Sequence, residues 1–137
     1  MTERGAIHHV ELWVPDLAVA SASIGWLLGE LGYTVADTWA TGESWGRRDA
    51  YVVLEAGPDV TSERHERRRP GLNHLAFHAG AIADVDNLVE RAGRHGWYLL
   101  FEDRHPWAGG PRHYAAYLEN ADGFEVELVA DLQIARG

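Results

Sequence analysis

The chain has 137 residues, 46% of them hydrophobic and 24% charged, which suits one globular domain and argues against disorder. It has no cysteine, so disulfides, thiolate catalysis and cysteine-ligated metal centres are excluded. Twelve basic residues against 21 acidic ones leave a formal charge of −9, which opposes nucleic-acid binding.

No basic leader with an apolar stretch behind it opens the sequence, and no apolar run approaches the ~20 residues of a membrane span. A cytoplasmic protein without membrane contact is expected. The first patterned stretch is "IHHVELWV", residues 7–14. Alternation puts His8, Val10, Leu12 and Val14 on one face of a strand and Ile7, His9, Glu11 and Trp13 on the other. From Asp16 onward, Leu17, Ala20, Ile24, Leu27, Leu28 and Leu31 recur at three- and four-residue steps. That spacing predicts a helix with Asp16 as N-cap and Gly32 as its stop. "YTVADTWA", "ESWGRR" and "AYVVLEA" then read as three strands separated by glycine and charged turn residues.

The basic stretch "ERHERRRP", residues 63–70, reads as a solvated connector. After it the order returns. "LNHLAFHA" is a strand, with Leu72, His74, Ala76 and His78 on one face. Ile82, Val85, Leu88, Val89 and Ala92 define a helix that stops at Gly96, and "WYLLFED", "HYAAYLEN" and "FEVELVA" follow as strands. Two copies of βαβββ, each of about 60 residues, therefore account for nearly the whole chain. The expected architecture is one α+β domain: module one over about 5–57, a linker over 58–70, and module two over about 71–131.

In each repeat one sheet face is apolar enough to be covered by its helix, and His8 is expected to pack on that side. The opposite face mixes histidine and glutamate with Trp13, Tyr51 and Tyr117. A solvated face would not carry those aromatics, so two curved mixed sheets enclosing a cavity are predicted. On that face stand His9, His74 and Glu127. Two imidazoles and one carboxylate are a ligand set for a borderline divalent ion, with coordination positions left open. Burying Glu127 unpaired would cost several kcal/mol or force it neutral, by an order-of-magnitude scale, and a cation removes that penalty.

These residues resemble the vicinal oxygen chelate superfamily, which includes glyoxalase I, fosfomycin-resistance thiol transferases, extradiol dioxygenases and bleomycin-resistance proteins. "IHHVELWVPDL", "GLNHLAFHAG" and "AAYLENADGFEVELVA" carry the resemblance, which runs from Ile7 to Ala130. It implies His9, His74 and Glu127 as ligands of Fe, Mn, Ni, Co or Zn, and Tyr117 as an active-site tyrosine. Two-module members commonly form homodimers, so a homodimer is expected. The chain departs from the family at "NADG", residues 120–123, where Asp-Pro-x-Gly is usual. It also has Val53 where glyoxalase I has a fourth ligand, which disfavours glyoxalase I activity.

His113, four residues before Tyr117, is a further candidate acid or base, with placement on the surface as the alternative. Trp13, Glu11, Tyr51, Glu55 and His78 are expected to line the cavity. Arg112 and Trp107 lie in "EDRHPWAGGPRH", a loop read as covering the cavity mouth. The function expected is a divalent-metal enzyme for a small oxygen-chelating substrate, thiol-transferase-, isomerase- or dioxygenase-like. The alternative is a binding protein that sequesters an aromatic drug or metabolite, as in bleomycin resistance.

Overall fold

The computed structural model describes residues 3–61 and 63–133. By its internal contacts the chain parts into two compact units on either side of the Arg64–His65 peptide.

The first unit contains β1 (His9–Trp13), α1 (Leu17–Ala20), α2 (Trp26–Glu30), β2 (Thr34–Trp39), β3 (Gly42–Arg47) and β4 (Ala50–Glu55). Its sheet order is β1-β4-β3-β2, with β1 parallel to β4 and the other pairs antiparallel. Asp16 starts α1 by accepting a hydrogen bond from the Val19 amide at 3.0 Å, which satisfies one of the orphan donors of the first turn. The predicted single helix is instead two α segments joined through a π-helical turn, Ser21–Gly25. Gly25 lies in that turn against the Trp45 ring, and a Cβ there would sit 2.9 Å from Trp45 Cζ2. The helical run ends where the sequence places its stop: Gly32 takes φ +92, and the Tyr33 amide reaches back to the Leu28 carbonyl at 2.9 Å. Leu12, Val14, Ile24, Leu27, Leu28, Val52 and Leu54 form the core of this unit, all below one-tenth exposed.

The second unit repeats the plan with β5 (His74–His78), α3 (Ile82–Ala92), β6 (Trp97–Leu99), β7 (Ala115–Asn120) and β8 (Glu125–Val129), in sheet order β5-β8-β7-β6. Val85 and Leu88 on α3 are buried, as are Leu118, Phe124, Val126 and Leu128. The chain folds back before α3 at Gly80, whose φ is +93, and Asp84 of the first turn accepts from the Ala81 amide at 2.8 Å.

Three expectations need correction. The strand predicted over 97–103 stops at Leu99: the Leu100 amide still bonds the Tyr117 carbonyl, but Phe101 takes φ +56 and turns the chain out of the sheet. His8 precedes β1, is exposed, and pairs Nδ1 to Nδ1 with His9 at 2.9 Å rather than packing. The basic connector is not solvated throughout. The His65 amide donates to the Asp122 carbonyl, its ring stacks on Phe124 with centroids 4.6 Å apart, and Arg67 lies on buried carboxylates of the second sheet. Arg68 and Arg69 remain exposed, as expected of a connector.

No helix among the described residues is long and apolar enough to cross a membrane.

Candidate functional site

Strand register builds the second unit's polar face. β8 lies between β5 and β7, so Glu127 is opposite Ala76 on one side and Tyr117 on the other, while Glu125 is flanked by His74 and Glu119. Alanine at 76 leaves room beside Glu127, and the imidazoles come to it diagonally.

Glu127 is 6% exposed. Its Oε1 lies 3.0 Å from His74 Nε2, its Oε2 accepts from His113 Nε2, and the Tyr117 hydroxyl also bonds it. Burial pushes the Glu127 pKa up, but the bonds from His113, Tyr117 and His74 outweigh it and hold the carboxyl below its ordinary range. Tyr117 is pushed up to about 12 by burial first and by the Glu127 carboxylate second, so it keeps its proton and donates.

The His74 ring is fixed from both ends. Its Nδ1 lies 2.6 Å from Asn73 Oδ1, and Asn73 Nδ2 in turn donates to the Arg67 carbonyl at 3.1 Å. That second bond orients the amide with its oxygen towards the ring, so Nδ1 carries a proton. Nε2, 3.0 Å from Glu127 Oε1, can carry a proton and donate to that oxygen, or give its lone pair to a cation that the carboxylate shares.

The loop after β6 closes on the same group. A Cβ at Gly109 would lie 2.6 Å from both His113 Cδ2 and the Tyr117 hydroxyl, so only glycine lets the backbone pass so near. Beside the Glu127 cluster is a second buried ionic group. Arg67 Nε donates to Glu119 Oε2 at 2.7 Å, and the Tyr98 hydroxyl donates to Glu119 Oε1 at 2.5 Å. Arg67 Nη1 stands 3.2 Å from Glu125 Oε1, close enough for an ion pair but not aligned for a hydrogen bond, so this buried oxygen closes none.

In the first unit, His9 stacks on Tyr51, its register partner, with centroids 4.9 Å apart and ring planes 4° from parallel. Trp13 Nε1 donates to Glu11 Oε2 at 2.7 Å, and Trp39 Nε1 donates to Glu55 Oε1 at 2.9 Å. Glu11, Trp13 and Glu55 line one pocket.

The structure therefore brings His74, His113, Tyr117 and Glu127 together in one unit, and Glu11, Trp13 and Glu55 in the other. His78 is exposed at the end of β5 opposite Val129, and Arg112 is exposed. Trp107 stands apart, edge-on to Tyr114, whose hydroxyl bonds Asp86 of α3. Asn73, Arg67 and Gly109 were not singled out by sequence. Asn73 sits just before β5, where strand alternation gives no sign that it turns to its neighbour's ring. Arg67 was hidden in a run of arginines.

Among the described residues, no group of three or more His, Asp or Glu side chains is arranged as a metal site. Glu127 spends one oxygen on each imidazole instead. The donor set nevertheless fits a divalent ion: His74 has its remote nitrogen proton-donating and its near nitrogen aimed at an ionised carboxylate.

Comparison with known proteins accords with the architecture. A family model described as Glyoxalase/Bleomycin resistance protein/Dioxygenase superfamily matches residues 8–117. The uncharacterized protein YqjT of Bacillus subtilis is 43% identical over 125 residues, covering 90% of this chain and 98% of that one. A crystal structure from Bacillus halodurans, provisionally described as a glyoxalase, is 43% identical with a TM-score of 0.88, over 93% of this chain and 97% of that one. A mutant of the fosfomycin resistance protein FosX from Listeria monocytogenes, crystallised with Mn(II) and a dihydroxypropylphosphonic acid, shares the fold at 17% identity and a TM-score of 0.65, over 93% and 91% of the two chains. The chain belongs to the Glyoxalase/Bleomycin resistance protein/Dioxygenase superfamily.

Proposed function

We propose that the chain is a divalent-metal-dependent enzyme acting on a small substrate that chelates through neighbouring oxygens, with His9, His74 and Glu127 as the ligands. The observation that carries this reading is the His74–Glu127 contact, in which a ring nitrogen whose partner nitrogen already donates to Asn73 faces an ionised carboxylate. A divalent ion would take the place of the Nε2 proton, with His74 and Glu127 as two of the residues that would hold it. His9, at the corresponding place in the other βαβββ unit, supplies the third donor.

A divalent ion held there provides Lewis-acid stabilisation of an oxyanion developing on the substrate. The chain's own groups prepare the place. Asn73 fixes the His74 tautomer through the Nδ1 proton. Tyr117, kept protonated, donates to Glu127 and restrains the carboxylate. His113 holds the other carboxylate oxygen and stands where it can take or return a substrate proton. Val53 occupies the place in β4 that Glu127 occupies in β8: Glu11 pairs with Val53 as Ala76 pairs with Glu127. Valine cannot ligate, which favours a three-ligand site with open positions and disfavours glyoxalase I chemistry. The reaction types that fit are thiol transfer, isomerisation and dioxygenation.

Cobalt substitution tests this. Protein stripped with chelator and given Co(II) should bind about one ion per chain with a visible band distinct from the aquo ion. Catechol or acetohydroxamate, each with paired oxygens, should shift that band, and His9→Ala, His74→Ala and Glu127→Ala should each lose it. An aquo-ion spectrum from the wild-type protein would end the proposal. A second reading, sequestration of an aromatic ligand without metal, is favoured by Trp13, which is 50% exposed beside a pocket.

A further inference from the structure

The pocket of the first unit has a chemistry of its own. It encloses about 300 Å³ and is lined by Glu11, Trp13, Thr41, Glu55, Asp59 and Val60 together with Gly57 and Pro58. That volume is at the small end of the range for small-molecule sites, roughly 300–1,000 Å³. Three of its lining residues are carboxylates and none is basic. No ion pair holds Glu11, Glu55 or Asp59 among the described residues, so their charge is not neutralised by the fold.

The indoles are set by those same carboxylates. Trp13 is tied through its ring N–H to Glu11 and remains 50% exposed. Trp39 crosses over Gly42 to reach Glu55, and a Cβ at Gly42 would lie 2.6 Å from the Trp39 ring. The Thr41 and Trp39 hydrogen bonds, with smaller help from the Gly57 and Ala56 amides, hold Glu55 below the ordinary carboxylate range against a lesser upward push from burial. Its second oxygen, Oε2, is buried and closes no well-formed hydrogen bond. Three carboxylates without a counter-charge, one of them fixed in position by its own donors, line one pocket beside an indole, a lining that suits a cation with an apolar surface.

We infer that this pocket binds the alkylammonium group of a small organic cation, its methyl or methylene surface against the Trp13 ring and its charge towards Glu55 and Glu11. Indole is the aromatic side chain best suited to a cation over its face. The chain's net charge of −9 raises the local concentration of such ligands. A metal ion alone would not use the indole, and an anionic or neutral aromatic ligand would leave the carboxylates without a counter-charge. The site stands whether or not an ion binds at Glu127, because every residue named here belongs to the first unit.

The test is titration of chelator-stripped protein with choline and with its uncharged carbon isostere, dimethylbutanol, read by proton NMR of the ligand methyl groups. Saturable choline binding is expected, with upfield methyl shifts from the indole ring current. The isostere should bind about tenfold more weakly, a difference of about 1.4 kcal/mol. Glu55→Gln and Glu11→Gln should each weaken choline binding about fivefold, and Trp13→Leu should remove the upfield shift. Added salt should weaken choline binding in the wild-type protein and leave the isostere unaffected, which checks the charge dependence without any variant. Equal binding of the two ligands, insensitivity to salt, or no saturable choline binding would overturn the inference. Failure of cobalt binding at His74 and Glu127 would leave it standing.

Discussion

Glu119 and Glu125 share Arg67 and are almost equally buried, yet they are held differently. Glu119 receives aligned hydrogen bonds from Arg67 and Tyr98, whereas Glu125 Oε1 closes no hydrogen bond and has Arg67 beside it unaligned. Burial raises the Glu125 pKa; Arg67 and His74 pull it partly back, and Glu119 and Glu127 add to the rise. An acid whose folded pKa exceeds its unfolded value holds its proton more tightly when folded. Stability contributed through Glu125 therefore falls as pH climbs from the ordinary carboxylate range through the raised value. Glu125→Gln should leave stability at pH 7 unchanged or higher and flatten its decline above the acid range. Glu119→Gln should cost about 1–2 kcal/mol, because it weakens two buried charge-assisted bonds. Urea unfolding of both variants across pH checks this; a larger loss for Glu125→Gln would reverse the assignment.

At the scale of elements, the helix of the first unit shows what periodicity carries and what it omits. The apolar spacing from Leu17 to Leu31, the Asp16 cap and the Gly32 stop are all realised. The π turn between them is not legible, because it answers to tertiary packing. Trp45, on β3, places its ring against Gly25, and its N–H bonds Glu43 at 2.6 Å while Ser21 reaches the same carboxylate oxygen at 2.9 Å. Two glycines of this helical run should then respond oppositely to alanine. Gly25→Ala forces a Cβ into the Trp45 ring and should destabilise by roughly 1–3 kcal/mol despite a better helix propensity. Gly29→Ala meets the ring only at an ordinary 3.8 Å and should stabilise by about 0.5–1 kcal/mol. Thermal or urea unfolding separates them, and equal responses would mean that Trp45 does not set the turn. The shortened β6 has a similar origin: "WYLLFED" looks uniformly extended, but Phe101 leaves the sheet to stand edge-on to Tyr117, with Arg104 over its ring at 5.0 Å.

Across the whole molecule, the repeat was the most legible feature. Both βαβββ units are present, and register makes Tyr51, Val53 and Glu55 the counterparts of Glu125, Glu127 and Val129. That correspondence explains why one sheet carries a buried carboxylate at this place and the other does not, since the change from Glu to Val falls on the same lattice point. His74 and Glu127 were legible because strand alternation fixes which face each takes. The tie from Asn73 to His74, the Gly109 approach and the hold of Arg67 on Glu119 were not, since each arises just outside a regular strand, where alternation no longer constrains direction. The central claim is that His9 joins His74 and Glu127 on one ion. Imidazole nitrogen NMR during a Zn(II) titration tests it most directly. One ring nitrogen of His9 and Nε2 of His74 should shift together and saturate at about one equivalent of zinc, with His95 beyond α3 unchanged. Movement of His74 without His9, or of neither ring at saturating zinc, would contradict it.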